Sequence, residues 1–195
     1  MSTQTQSESQ TKTQIQSQTK AQSKTQGAAY AARPVPPAVL DELRKVDDAG
    51  RPCVPYTETA NEAGNPLRCC LRRTEAGERI ALVSYAPLRR WAEAAGVDPG
   101  AYDEQGPVFI HTEPCDGPGD GPDAYPFGRP GVLRTVRRYD ARGRIAGGRL
   151  LEVPEDVAGG FDQAFAEAFA DPEVAFVHVR AVEYGCFLFE VRRPV

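Results

Sequence analysis

Residues 161–192, FDQAFAEAFADPEVAFVHVRAVEYGCFLFEVR, decide the fold class of this chain. Their first part carries apolar side chains at the i, i+3, i+4, i+7 and i+8 spacing of a helix that packs one face on a core. These side chains are Phe161, Ala164, Phe165, Ala168 and Phe169. Pro172 stops the helix, because its ring removes a backbone donor and clashes with the preceding turn. The stretch therefore predicts a core helix followed by extended chain.

Two strands, at residues 174–182 and 186–192, follow that helix and form a hairpin. A three-residue loop ending in Gly185 is a favoured connection, since glycine adopts the left-handed conformation that it needs. This loop predicts the pairs Val182–Cys186, Arg180–Leu188, His178–Glu190 and Phe176–Arg192. One face of the hairpin is then wholly apolar, whereas a shift of one residue would mix polar and apolar side chains. We predict that the members of that face are buried beneath the helix: Val177, Val179, Phe187, Phe189 and Val191.

The remaining elements extend this pattern towards the N-terminus. Further strands are predicted at residues 68–72, 80–85, 107–112, 133–139 and 144–151, of which the first two and the last two form hairpins. Gly147-Gly148 indicates a bulge or a close approach of another backbone. Residues 114–131 are typical of a long loop, and short helices are predicted at residues 38–46 and 88–95. The predicted fold is α+β, a mostly antiparallel β-sheet of about six strands with two or three helices packed chiefly on one face.

The first 26 residues differ in composition from the rest of the chain. They contain eight Gln, six Thr and five Ser, and too few apolar side chains to offset the conformational entropy that folding removes. We predict a disordered tail and the start of a proline linker over residues 1–33, and a single globular domain over residues 34–195. No apolar run of the kind found in signal peptides or membrane spans occurs, so the expected location is the cytoplasm and no membrane partner is expected.

The charge of the chain disfavours nucleic acid as a partner. Its formal net charge is −4, whereas a phosphate backbone is bound by concentrated positive charge. Four pairs of adjacent arginines are spread along the sequence, at residues 72–73, 89–90, 137–138 and 192–193. Any of them could meet a phosphate or carboxylate of a ligand, and the sequence does not single one out.

Five cysteines without a secretory signal predict reduced thiols rather than a disulfide framework. Cys69 and Cys70 are neighbours on a predicted strand, so we expect one small core residue and one half-exposed thiol. The candidates for a reactive thiol are Cys69, Cys70 and Cys186. A nucleophile–base pair of Cys186 with His178 is excluded by the hairpin register, which separates them by roughly 13 Å at 3.4 Å per residue.

His111 and Cys115 raise the question of a metal site. Pro114 prevents a helix there, so their four-residue spacing does not place them on one face. A zinc site would need further ligands, and Cys69 or Cys70 would have to supply them from far along the chain. Structural cysteines are the preferred interpretation, no metal site is predicted, and the sequence identifies no cofactor.

The two histidines occur in similar contexts, Phe109-Ile110-His111 and Phe176-Val177-His178. If their strands are neighbours, they share one surface with apolar walls and a few orienting polar groups, which is typical of a ligand pocket. The candidate binding residues are Phe109, His111, Phe176, His178, Arg180 and Tyr184. His178 is expected to face Glu190, whose carboxylate would favour the imidazolium. The alternative is a pair of half-buried histidines near the rim of the sheet.

Several short motifs give the chain a family resemblance. They are Arg68-Cys69-Cys70-Leu71-Arg72, Pro107-Val108-Phe109-Ile110, Arg138-Tyr139-Asp140, Phe169-Ala170-Asp171-Pro172-Glu173-Val174 and Gly185-Cys186. With them, residues from about 52 to 193 resemble the bacterial domain of unknown function 1203 family. The resemblance implies a compact bacterial cytoplasmic domain and brings no assigned activity.

Two functions are compatible with these observations. The first is binding of a polar or anionic small molecule, with or without chemistry, at the aromatic, His and Arg face. The second is a protein-interaction or regulatory module in which the histidines are structural. A concave site that holds both histidines and Arg180 would favour the first function, and a flat surface with an exposed apolar patch would favour the second.

Overall fold

A computed structural model of the chain describes residues 28–118 and 125–194. Within these ranges the helices are α1 (Pro37–Leu43), α2 (Pro87–Ala95) and α3 (Val157–Ala170). The strands are β1 (Tyr56–Thr57), β2 (Arg79–Tyr85), β3 (Gly106–His111), β4 (Leu133–Asp140), β5 (Ile145–Glu152), β6 (Val174–Ala181) and β7 (Phe187–Arg192). All pairs of neighbouring strands are antiparallel, which confirms the predicted α+β class. In the part of the chain described, no helix is both long enough and apolar enough to cross a membrane.

The strands form two sheets, where the sequence predicted one sheet of about six strands. The smaller sheet has the order β1-β2-β3 and the larger sheet has the order β5-β4-β6-β7. The two sheets meet where the Tyr85 ring lies edge-on against Phe187, with 5.6 Å between ring centroids. Leu88 and Trp91 of α2 pack on Tyr139 and Phe176.

Helix α3 covers the opposite face of the larger sheet. All five residues of its predicted apolar stripe are buried, and they share one core with residues of β6 and β7. Burying each phenylalanine contributes about 1.5–3 kcal/mol, so this layer anchors the larger sheet. The Asp156 side chain caps the helix by accepting a hydrogen bond from the backbone N–H of Gly159 at 3.0 Å.

The predicted register of the β6–β7 hairpin is confirmed at His178–Glu190 and Phe176–Arg192 and is wrong nearer the turn. A bulge pairs Arg180 with Phe187 instead of Leu188. The extra residue reverses the facing of the two side chains, so Leu188 packs in the α3 core. Phe187 is buried as predicted, yet it lies on the other face, against Tyr85 and His178.

The β4–β5 hairpin confirms the predicted strands and the predicted bulge. The register shifts so that Arg138 pairs with Gly147 while Tyr139 pairs with Ile145. Gly147 has a φ of +142°, a backbone conformation that residues with a side chain rarely adopt. Helix α2 also ends as predicted, at a left-handed Gly96.

The predicted strand at residues 68–72 is wrong, because residues 66–73 form a tight turn. Leu71 has a φ of 57°, and its backbone N–H donates to the carbonyl of Leu67 at 3.1 Å. Pro66 and Arg73 then face each other across an isolated β-bridge. Strand β2 consequently pairs with β1 and β3 instead of closing a hairpin with this segment.

The segment before α1 packs on the domain. Tyr30 stacks on Phe169 of α3 with 5.7 Å between ring centroids, and Arg33 forms a β-bridge with Glu190. The packed chain therefore extends N-terminal to the predicted boundary at residue 34. The rest of the predicted disordered tail, residues 1–27, lies outside the described residues.

Candidate functional site

A cleft of about 520 Å³ opens where the two sheets and the turn at residues 66–73 come together. Three arginines line it: Arg68, Arg73 and Arg134. Its remaining walls are mainly apolar or aromatic and include Leu82, Phe109, Phe127, Tyr184, Cys186 and Leu188, and one carboxylate, that of Glu183, also lines it. This arginine cleft combines positive charge with an apolar lining, which is the usual composition of a site for a small ligand.

Arg68 is a buried cation in the wall of the cleft. Only 2% of its surface is exposed. Its guanidinium donates from Nε to the carbonyl of Phe187 at 2.8 Å and from Nη1 to the carbonyl of Pro66. Burial lowers the pKa of Arg68 to about 10. Within the described residues, no carboxylate forms an ion pair with it, so its charge is compensated only by backbone dipoles.

Arg134 is the second buried cation of the cleft. Its Nη1 and Nη2 donate to the carbonyls of Leu133 and Phe127 at 2.6 and 2.9 Å, while its Nε is buried without a hydrogen-bond partner in the described chain. Glu183 is half-exposed and lies 3.6 Å from Nη1. Burial lowers the pKa of Arg134, which shows that the protein surroundings do not fully stabilise its charge.

Phe127 adds a strained backbone to this wall. It has a φ of 58°, a region that bulky side chains adopt at a cost of about 1–3 kcal/mol. In this conformation its carbonyl meets the Arg134 guanidinium. The strain at Phe127 therefore coincides with the placement of the Arg134 cation.

Arg73 is the third arginine of the cleft. It is exposed at the rim, with Nη1 donating to the carbonyl of Gly64 at 2.6 Å.

Four metal-ligating side chains meet below the same turn, and we call them the thiol–imidazole cluster. Cys69 and Cys70 come from the turn, His111 from the end of β3, and Cys115 from the loop that follows. Their three sulfurs and one ring nitrogen all lie within 4.8 Å of one another. The expectation of one core thiol and one half-exposed thiol at residues 69–70 is wrong. Both are buried, since a turn does not send neighbouring side chains to opposite sides as a strand does.

The thiols of the cluster are reduced and interact with each other. The Cys69 thiol donates a hydrogen bond to Cys70 across 3.9 Å. This hydrogen bond lowers the pKa of Cys70 to about 6 and raises the pKa of Cys69. This difference between the two thiols could not be predicted from the sequence, because it depends on a contact between neighbours in a turn.

The His111 ring is held between this cluster and a carboxylate. Its Nδ1 lies 3.3 Å from the Cys69 sulfur, and its Nε2 lies 3.3 Å from Glu78 Oε1. Arg72 pairs with the same carboxylate, and this hydrogen bond lowers the pKa of Glu78 to about 2. An ionised carboxylate only accepts hydrogen bonds, so Glu78 can accept one from an Nε2–H of this ring, while Nδ1 faces the sulfurs.

The predicted grouping of the two histidines is not found. His111 ends a strand of the smaller sheet and His178 lies in the larger sheet, and their hydrogen bonds and ring contacts involve no common residue. Of the predicted binding residues, Phe109 and Tyr184 line the arginine cleft together with Cys186.

Three other predicted binding residues lie away from the cleft wall. Phe176 is buried against Tyr139 with 4.9 Å between ring centroids. Arg180 is paired with Glu104 at 2.7 Å. His178 is wholly buried with its Nε2 3.6 Å from Glu190. Burial lowers the pKa of His178, and this effect is larger than the expected opposite effect of the Glu190 carboxylate.

A model of the family described as "Protein of unknown function (DUF1203)" matches residues 64–193. The chain belongs to the DUF1203 family. This confirms the resemblance seen in the sequence. Neither the search of curated proteins nor the search of solved structures found a match to the chain. In this DUF1203 chain, the arginine cleft and the thiol–imidazole cluster both lie within the matched residues.

The sequence identified single residues of both sites in this DUF1203 chain, and it did not predict which of them lie together. Arg68 and Arg134 were missed as ligand-binding candidates, because arginine is usually exposed and neither belongs to an arginine pair. The sequence interpretation named all four members of the cluster as conceivable ligands and preferred structural cysteines. Only the turn at residues 66–73 shows that the two adjacent cysteines reach His111.

Proposed function

We propose that this DUF1203 domain binds a small anionic molecule in the arginine cleft. The observation that carries the proposal is that two arginines, Arg68 and Arg134, are buried at the cleft wall with their charge largely uncompensated. A buried charge is costly unless it is paired and hydrogen-bonded. A phosphate or carboxylate in the cleft would supply the missing negative charge and accept charge-assisted hydrogen bonds.

Three other poorly exposed arginines support this proposal, because carboxylates pair with them directly. Arg90 contacts Asp48 and Glu42 at 2.7 and 2.6 Å. Arg137 and Arg180 share Glu104. A second cleft, of about 380 Å³, is lined by Arg90 and by Arg192, and Arg192 pairs with Glu190 at 2.6 Å. These arginines are each in direct contact with a carboxylate, whereas among the described residues Arg68 has no ion pair and Arg134 has only Glu183, at 3.6 Å.

The aromatic walls indicate the rest of the ligand. Phe109 is half-buried and Tyr184 is 85% exposed, so both rings can cover an apolar or planar group beside the anionic one. We therefore propose a ligand with one phosphate or carboxylate and an attached ring or short apolar chain. We propose binding of this ligand and no chemical step.

The compartment we propose is the bacterial cytoplasm. All five cysteines are free, which suits a reducing compartment, and the family resemblance supports a bacterial source.

The experiment is a calorimetric titration of the full chain, once with phenyl phosphate and once with inorganic phosphate, at constant ionic strength. We expect saturable one-to-one binding, tighter for phenyl phosphate. R73M and R134M should each weaken binding about 10–100-fold, since a hydrogen bond to a charged group contributes about 1.5–3 kcal/mol. R73M changes an exposed side chain, so its effect does not depend on core packing.

The matched control is R142M, which removes one exposed arginine remote from the cleft lining. It should bind phenyl phosphate like the natural chain. The proposal fails if neither anion binds above a sodium chloride blank, or if R142M weakens binding as much as R73M does. The first of these results would favour the alternative function, a module that binds a protein partner.

A further inference from the structure

We propose that Cys69, Cys70, His111 and Cys115 form a structural Zn²⁺ site. The inference is independent of the anion-binding proposal, because it depends on other side chains and on another kind of ligand. It departs from the sequence interpretation, which predicted no metal site.

The distances between the four ligand atoms are close to those of a tetrahedral zinc site. In a tetrahedral site with Zn–S of about 2.3 Å and Zn–N of about 2.0–2.1 Å, neighbouring ligand atoms are about 3.4–3.8 Å apart. The Cys69–Cys70 sulfurs are 3.9 Å apart, and His111 Nδ1 lies 3.3 and 3.9 Å from them. The fourth donor, Cys115, lies within 4.8 Å of the other three. Three cysteines and one histidine are an established ligand set for structural zinc.

The His111 ring is oriented as in a metal-ligating histidine. A metal-ligating histidine commonly donates its other ring N–H to a carboxylate, which fixes the tautomer and the ring plane. His111 has this arrangement, with Glu78 at 3.3 Å from Nε2 and Nδ1 facing the sulfurs. Glu78 is itself held by Arg72. The polar groups around the ring therefore hold it with Nδ1 facing the sulfurs, where a metal ion would bind.

The charges around the cluster and the burial of its four ligands also fit a structural zinc ion. Three thiolates and Zn²⁺ carry a net charge of −1, and Arg72 lies beside the cluster, with Nη2 3.3 Å from His111 Nε2. Arg44 donates to the carbonyls of His111 and Glu113 at 3.2 and 3.0 Å, and so fixes the chain that leads to Cys115. Three of the ligands are buried and Cys115 is half-buried. Four protein donors leave no open position, which indicates a structural site rather than a catalytic one.

The competing explanations fit the cluster less well. A vicinal disulfide requires about 2.05 Å between sulfurs, and Cys69 and Cys70 are free with 3.9 Å between them. An iron–sulfur cluster usually takes four cysteines, and here one donor is an imidazole. Packing alone accounts for buried thiols, yet it does not require three sulfurs and a carboxylate-oriented imidazole around one point.

The test begins with the untagged full chain, purified without chelator. Elemental analysis should give one zinc per chain, and Co²⁺ added to the chelated protein should give the visible ligand-field bands of tetrahedral thiolate coordination. C115S should bind Co²⁺ at least 100-fold more weakly. E78Q should bind it about 10-fold more weakly, as expected for the loss of an orienting partner.

The matched control is C53S, because Cys53 is also free and half-buried and lies outside the cluster. It should keep the zinc content and the Co²⁺ spectrum of the natural chain. Alkylation of the natural chain provides a readout that needs no variant. With zinc bound, iodoacetamide should modify Cys53 and Cys186 and spare Cys115, and a chelator should make Cys115 reactive.

Three results would overturn the proposal. They are a chain that binds neither zinc nor Co²⁺ at micromolar concentration, a C115S variant with an unchanged Co²⁺ spectrum, and a Cys115 that is alkylated equally with and without chelator. A C53S variant that loses zinc to the same extent as C115S would place the metal elsewhere and would also overturn it.

Discussion

His178 is an imidazole with no exposed surface, and a carboxylate and aromatic rings surround it. Glu190 favours its protonated form, while burial disfavours any charge, and burial has the larger effect on its pKa. Neither ring nitrogen has a hydrogen-bond partner among the described residues. The histidine therefore acts as a neutral part of the layer between the sheets, and its protonation would place a charge in that layer.

This position predicts an acid-sensitive fold. The pKa of His178 is below its ordinary value of 6.5 in the folded chain, while the unfolded imidazole binds its proton near pH 6.5. As the pH falls below 6.5, the unfolded state gains protons that the folded state does not, so the folded state loses stability. We expect the free energy of unfolding to fall by up to about 1.4 kcal/mol per pH unit in that window.

Urea unfolding of the natural chain and of H178Q between pH 7.5 and 5.5 measures this effect. The variant keeps the other charged groups near this position, namely Glu190, Arg180 and Glu104, so their titration affects both proteins. The natural chain should lose more stability than H178Q as the pH falls. Parallel pH profiles would mean that His178 does not contribute to the loss.

At this scale the sequence predicts burial better than it predicts charge. The alternation of residues 174–192 identified five buried side chains of β6 and β7, because one face without polar atoms admits few registers. It did not identify Phe176, His178 and Leu188, which are buried as well. The bulge at Leu188 could not be foreseen, since both Phe187 and Leu188 are apolar and either facing buries a hydrophobic side chain. The protonation state of His178 depends on how completely three-dimensional packing excludes water, which a local pattern does not report.

The turn at residues 66–73 is the element that departs most from the sequence prediction. The sequence predicted a strand over residues 68–72, and the left-handed Leu71 turns the chain there instead. A leucine is an unusual choice for that conformation, so no local signal such as a glycine indicated it. The departure matters because the same turn carries Arg68 and Arg73 on the cleft side and Cys69 and Cys70 on the cluster side.

This shared turn predicts coupling between the two proposed sites, and the prediction depends on both proposals. Zinc would hold Cys69 and Cys70, and through them the arginines that flank these cysteines. We expect the zinc-loaded chain to bind phenyl phosphate at least fivefold more tightly than the chelated chain, which is the lower end of typical coupling between sites. Calorimetric titration of both forms measures the ratio.

Reciprocity provides the check on that coupling. Saturating phenyl phosphate should raise the affinity for zinc by the same factor by which zinc raises the affinity for the anion. C53S should show the same coupling as the natural chain. Equal anion affinities with and without zinc would show that the turn keeps its shape without the metal.

At the scale of the whole molecule, the strands of the described residues form two sheets, each of them contiguous in the chain. The smaller sheet comes from residues 56–111 and the larger sheet from residues 133–192. The sequence predicted most of these strands and could not show that they divide into two sheets, because a strand pattern specifies an exposed and a buried face without naming the neighbouring strand. The arginine cleft takes its walls from both sheets, so its assembly also lay beyond the local pattern.

The contiguity of the sheets has a consequence for the order in which the chain folds. Contacts within each sheet join residues that are close in sequence, and such contacts form faster than distant ones. Contacts between the sheets, such as those of Arg68 and Tyr85 with Phe187, must close a much longer loop. We expect pulse-labelled hydrogen exchange during refolding to protect β4–β7 amides before the ability to bind phenyl phosphate returns. Simultaneous recovery of both signals would contradict this order. A newly made chain would thus acquire the proposed anion site as the last event of folding, when two preformed sheets dock.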